Sequence, residues 1–68
     1  MKLIDRLILK ANNNYDVNTT KELTVKFKKK QHKQAWVTYT YPNRKQLISA
    51  LYRMTQGLYP EQPNYLDV

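Results

Sequence analysis

Two stretches of alternating residues constrain this chain more than any other feature. From Glu22 to Lys29, Leu23, Val25 and Phe27 face one way and Thr24, Lys26 and Lys28 the other. From Gln34 to Tyr41, Ala35, Val37, Tyr39 and Tyr41 oppose Trp36, Thr38 and Thr40. A period of two marks a half-buried strand, and two such runs joined by a short segment, here Lys30 to Lys33, read as a β-hairpin. Paired residues must point to the same face or the apolar sets separate. The loop therefore holds an odd number of residues. A three-residue loop pairing Val25 with Val37 meets this condition, and sets Lys26 opposite Trp36 and Thr24 opposite Thr38. The segment offers no Gly or Asn-Gly to fix the turn type.

A lone hairpin is not stable in water, so its apolar face needs a cover. Residues 2–11 supply one, with Leu3, Ile4, Leu7, Ile8 and Ala11 at helical spacing and Lys2, Arg6 and Lys10 on another side. Leu9 falls off that stripe. A second helix begins after Pro42. Asn43 suits its N-cap, Gln46 stands three positions on as in a capping box, and Leu47, Ile48, Ala50, Leu51 and Met54 form its stripe. Gly57 suits the left-handed position that ends a helix, with Leu58 folding back on the last turn. Asn12 to Thr20 reads as a polar loop, because Asn and Thr side chains compete with regular backbone pairing. Tyr15 and Val17 would pin it to the core. Pro60 and Pro63 keep residues 59–68 extended. The expected fold is α+β: a two-layer helix–β-hairpin–helix (αββα) domain over residues 1–58, followed by an extended tail over residues 59–68.

The chain has 68 residues, which suits one domain. A domain this small buries only about 60% of the surface its unfolded chain exposes, and many such domains add disulfides or a metal. With no Cys and one His, His32, no disulfide, thiolate site or usual zinc spacing is open to this one. No metal or cofactor is expected. Gly57 is the only Gly, so a phosphate-binding glycine loop is excluded. Ser49, the only Ser, lies inside the second helix and the five acids are scattered. Catalysis needs at least two positioned groups, and none is visible. His32, among lysines in the hairpin loop, reads as a solvated imidazole. The expectation is a binding protein, not an enzyme.

The net charge is +7 and unevenly spread: residues 23–60 carry eight Lys or Arg and no acid. Five lysines fall between Lys26 and Lys33. Such a block attracts polyanions. On the hairpin, Lys26, Lys28, Trp36 and Thr38 would project away from the helices, with Lys29, Lys30 and Lys33 at the loop beside them. Lysine neutralises phosphate and tryptophan stacks on bases. Arg44 and Lys45 open the second helix, where cations oppose its dipole and a phosphate would relieve them. DNA or RNA is the expected partner, with these nine residues as its site. The bland alternative buries Trp36 under lysine stems on a merely solvated surface.

The run from Thr24 to Met54 resembles the arm-binding domains of phage and transposon integrases, which present a Trp- and Lys-bearing sheet to DNA and follow it with a helix. The resemblance rests on Lys26, Lys28, Trp36 and Asn43-Arg44-Lys45-Gln46, and covers under half the chain; a third strand and the characteristic glycine are missing. Double-stranded-RNA-binding domains are similar in their outer helices, and here lack a third strand and the lysine motif that opens their second helix. Neither assigns a family.

A second reading is a phage-like regulator or inhibitor that grips an acidic or nucleic-acid-handling protein, through an edge strand or through Tyr59, Tyr65 and Leu66 of the tail. The abundance of Asn, Lys and Tyr, typical of AT-rich genomes, suits it. A third is self-association, as a homodimer extending the sheet at an edge strand. No stretch approaches the about 20 apolar residues of a membrane span, and no unbroken apolar run follows Lys2 as a signal peptide would need. A cytoplasmic protein is expected.

Overall fold

The computed structural model describes residues 2–31, 33 and 35–66. His32, and Gln34 at the expected start of the second hairpin strand, lie outside them. Two helices and three strands follow in the order α1 (Leu3–Ala11), β1 (Tyr15–Lys21), β2 (Thr24–Lys29), β3 (Val37–Thr40) and α2 (Arg44–Thr55). The strands form one antiparallel sheet in the order β1-β2-β3. The fold is α+β in two layers, with one strand more than the expected αββα order.

The extra strand is β1, which sequence reasoning assigned to a polar loop. Its residues do alternate: Tyr15 is fully buried and Val17 packs on the core, while Asn18 is exposed. Asn and Asp disfavour strands in isolation, and pairing with β2 overrides that preference. Glu22 and Leu23 form the turn between Lys21 and Thr24, with a register shift between Asn18 and Lys21. Leu23 adopts φ 61°, a left-handed value that costs a branched residue about 1–2 kcal/mol. Its side chain packs against the core, which offsets that cost.

The β2–β3 register also differs from expectation. Val25 pairs with Tyr39, Phe27 with Val37, Lys26 with Thr38 and Thr24 with Thr40. The faces are as the alternation requires, but the pairing has moved by two residues and the connection is longer than three. Aromatic packing accounts for this. Phe27 sits at 5.3 Å from Tyr39, 5.4 Å from Tyr59 and 6.0 Å from Tyr15, ring centre to ring centre and edge to face, an arrangement that adds to simple burial.

Both helices lie on the Val25/Phe27 side. Leu7 and Ala11 of α1 meet Leu47, Ala50, Leu51 and Met54 of α2 in the core, flanked by Ile4, Ile8 and Ile48. Leu3 stays exposed, so the α1 stripe is narrower than its sequence pattern; Leu9, off that stripe, is exposed as well. At the start of α2 the Asn43 side chain accepts from the Gln46 N–H at 2.9 Å. At its end Leu58 N–H donates to the Arg53 carbonyl and Gly57 N–H to that of Met54, with Gly57 at φ 79°: the expected left-handed termination.

The tail completes the inner layer beside α2. Tyr15 donates its hydroxyl to the Leu58 carbonyl at 2.9 Å, Arg53 reaches the Tyr59 carbonyl at 3.1 Å, and Tyr41 donates to the Glu61 carbonyl at 2.8 Å. Pro60 is buried. Tyr65 then reaches over the β3 edge to the Thr40 carbonyl.

Candidate nucleic-acid interface

The sheet face away from the helices exposes Asn18, Trp36, Thr38 and Thr40 and buries Thr24, and its layout follows from the two registers. One row across the strands holds Asp16 and Lys28, and the β3 chain adds Trp36 just before its first residue. The next row holds Asn18, Lys26 and Thr38, and a third holds Lys21, Thr24 and Thr40. The two threonine hydroxyls bond each other at 3.0 Å.

Trp36 is 45% exposed. The ammonium groups of Lys26 and Lys28 lie 5.9 and 5.7 Å from its ring centre, within cation–π range. The two ammonium groups thus sit near the indole while the residue stays close to half exposed. Lys28 also pairs with Asp16 at 3.5 Å, a partly solvated contact worth at most about 1 kcal/mol. Sequence reasoning missed Asp16 entirely. The signal was the Tyr15-Asp16-Val17-Asn18 alternation, hidden behind three asparagines.

The structure brings Lys26, Lys28, Trp36 and Thr38 together on this face. Lys30 and Lys33 are exposed in the connection that follows β2, and Lys29, half-buried, alternates toward the other side of the sheet. Lys29 and Lys30 line a cleft of about 250 Å³ with Asn13, Asn14 and Gly57. Arg44 and Lys45 are not part of the face. Arg44 lines a cavity of about 170 Å³ at the opposite end of the sheet with Ile4, Asp5 and Glu22. Lys45 borders a groove of about 460 Å³ between α2 and the tail. In the first of these, Asp5 and Glu22 share a cavity that their separation in sequence gave no reason to expect, beside Lys21 and Arg44.

In the tail, Tyr59 rests its ring on Phe27 and Tyr65 bonds Thr40, whereas Leu66 is 98% exposed. Burial pushes the hydroxyl pKa of Tyr41 well above the ordinary tyrosine value, helped by the neighbouring Tyr39, Glu61 and Tyr59. Burial likewise raises those of Tyr15, which Arg53 partly counters, and Tyr59.

No protein-family model matches the chain, and no curated protein or solved structure is similar enough to it to match. The sheet now contains a third strand, which both resemblances lacked in the sequence; the glycine of one and the lysine motif of the other remain missing. No helix among the described residues is long and apolar enough to cross a membrane.

Proposed function

We propose that this chain is a binding protein rather than an enzyme, and that nucleic acid, DNA or RNA, is its ligand on the open face of the sheet. One observation carries the reading: an accessible Trp36 ring with the Lys26 and Lys28 ammonium groups within 6 Å of its centre, on a face that no helix covers. A base stacks on the indole while the lysines neutralise adjacent phosphates. Thr38 offers a hydroxyl in the same row as Lys26, and Lys30 and Lys33 extend the positive field beyond the strand.

The test is a titration of Trp36 fluorescence with DNA and RNA at about 50 and about 200 mM salt, a range over which a binder of many phosphates loses orders of magnitude in affinity. Saturable quenching that weakens steeply with salt is expected. Replacing Lys28, Lys30 and Lys33 with Glu should abolish it, and unchanged affinity in that variant would sink the proposal.

The nearly complete exposure of Leu66, beside a half-exposed Tyr65, favours a second reading. In it an acidic or nucleic-acid-handling protein grips the end of the tail, as a small phage-like inhibitor would require. Capture of one stoichiometric protein partner, lost on Leu66→Asp, with no response to nucleic acid, would favour it over the first.

A further inference from the structure

We propose that the nucleic acid held on this face is single-stranded. The inference rests on the nucleic-acid reading above and on where β1 places its charge.

In the two rows around Trp36, the cations among the described residues form a single line. β2 supplies Lys26 and Lys28, and Lys30 follows past its end beside the cleft it shares with Asn14 and Gly57. On one side, β1 sets Asp16 and Asn18 opposite Lys28 and Lys26. On the other, β3 sets Thr38 and Thr40. The only lysine of β1, Lys21, closes the strand at the far end and lines the cavity that holds Asp5 and Glu22. In the two rows around Trp36, a cation row thus runs down the middle strand between two flanks without cations, one of which carries a carboxylate; Lys21, opposite Thr24, is the cation of β1 at the far end.

A duplex groove presents two phosphate rows. The major groove is about 12 Å wide, and three strands spaced about 4.8 Å apart span roughly 10 Å. A duplex seated at Trp36 would lay its phosphates over β1 and β3, which carry no outward cation in the two rows there, and one row would meet the Asp16 carboxylate. A single strand has one phosphate row, which β2 can follow. Its unpaired bases are free to stack on Trp36, which the paired bases inside a duplex are not. Asp16, although paired with Lys28, keeps a side chain 41% exposed, so it still repels phosphate that strays from β2. It acts as a selectivity residue against duplex.

The experiment uses the full chain and labelled oligonucleotides of one mixed sequence, as DNA and as RNA, each single-stranded and annealed to its complement, at about 50 mM salt where phosphate contacts are strong. Fluorescence anisotropy should show the better single strand bound roughly tenfold or more tighter than either duplex. Trp36→Ala should lose roughly five- to a hundredfold of that affinity, with Trp36→Phe retaining part of it through stacking. Should Trp36→Ala unfold by circular dichroism, Asp16→Asn decides. It should raise duplex affinity by roughly two- to fivefold, from the Coulomb energy of one carboxylate near phosphate, and so narrow the preference. Duplex bound as tightly as single strand overturns this inference and leaves the nucleic-acid reading standing. No binding to any of the four overturns both.

Discussion

The side-chain amide of Gln46 meets the backbone of Asn64 twice, donating to its carbonyl and accepting from its N–H, each at 2.9 Å. An amide thus treats the tail as a neighbouring strand would. These bonds are exposed, so each contributes at the low end of about 0.5–1.5 kcal/mol. Gln46→Ala should leave the domain folded while the Asn64 amide exchanges hydrogen faster and a protease cuts sooner between residues 59 and 66.

The same tail is sensitive to alkali. Tyr41 donates its hydroxyl to the Glu61 carbonyl, and burial raises its pKa above the ordinary 10.0. A folded-state pKa above the unfolded one stabilises the fold while the group is neutral in both states. That stabilisation begins to fall above about pH 10, where the unfolded chain ionises, and is lost progressively as pH rises toward the folded value. Tyr15 and Tyr59 shift in the same direction. Urea midpoints should hold steady from neutral pH to about 10 and then fall. Tyr41→Phe should lower the neutral plateau and soften the alkaline drop; an equally steep drop in that variant would contradict the assignment.

Gly57→Ala isolates a backbone effect. A Cβ there would approach the Asn14 side chain no closer than 3.8 Å, an ordinary contact, so space is not the obstacle. The φ of 79° is. The expected cost is about 1–2 kcal/mol, read as a fall in Tm of about 4–8 °C per kcal/mol for a domain of this size. Gly57→Asn should cost less, since Asn tolerates the left-handed region.

Phe27 is the centre on which Tyr15, Tyr39 and Tyr59 converge. Phe27→Ala should cost about 3–5 kcal/mol. A domain of this length has roughly 3–10 kcal/mol in total. The variant should be largely unfolded or unfold at low urea, which far-ultraviolet circular dichroism would register.

The two basic regions should separate by charge reversal. Arg44→Glu with Lys45→Glu touches the far end of the sheet and replaces cations that oppose the α2 dipole. The dipole gain of up to about 1 kcal/mol is offset at position 44 by the Asp5 and Glu22 carboxylates in the same cavity, so stability should change little, with the salt dependence of nucleic-acid binding nearly unchanged. Lys28→Glu with Lys30→Glu should weaken binding at low salt and flatten its salt slope by roughly one unit for each contact removed. A flattened slope in the first pair would place Arg44 and Lys45 in the interface after all.

What the sequence determined by itself were the features that depend on neighbours along the chain. The period of two placed Val25 and Phe27 on one face and Lys26 and Lys28 on the other, whichever strand they met. Asn43 and Gly57 bounded α2 because caps are local chemistry. The assembly of Lys26, Lys28, Trp36 and Thr38 on one face was legible for the same reason. Tertiary structure decided what depends on partners distant in sequence. Asn13, Asn14 and Asn18 gave no sign of a strand until β2 offered its free edge to Tyr15–Lys21, and with β1 came Asp16 beside Lys28. Two β2–β3 registers keep the same faces, and the convergence of Tyr15, Tyr39 and Tyr59 on Phe27 selects between them. Whether Tyr59 and Pro60 pack against the sheet and α2 or leave them depended on whether the carbonyls of Leu58, Tyr59 and Glu61 found donors. Tyr15, Arg53 and Tyr41 supply them from three separate elements, a convergence that no local pattern encodes.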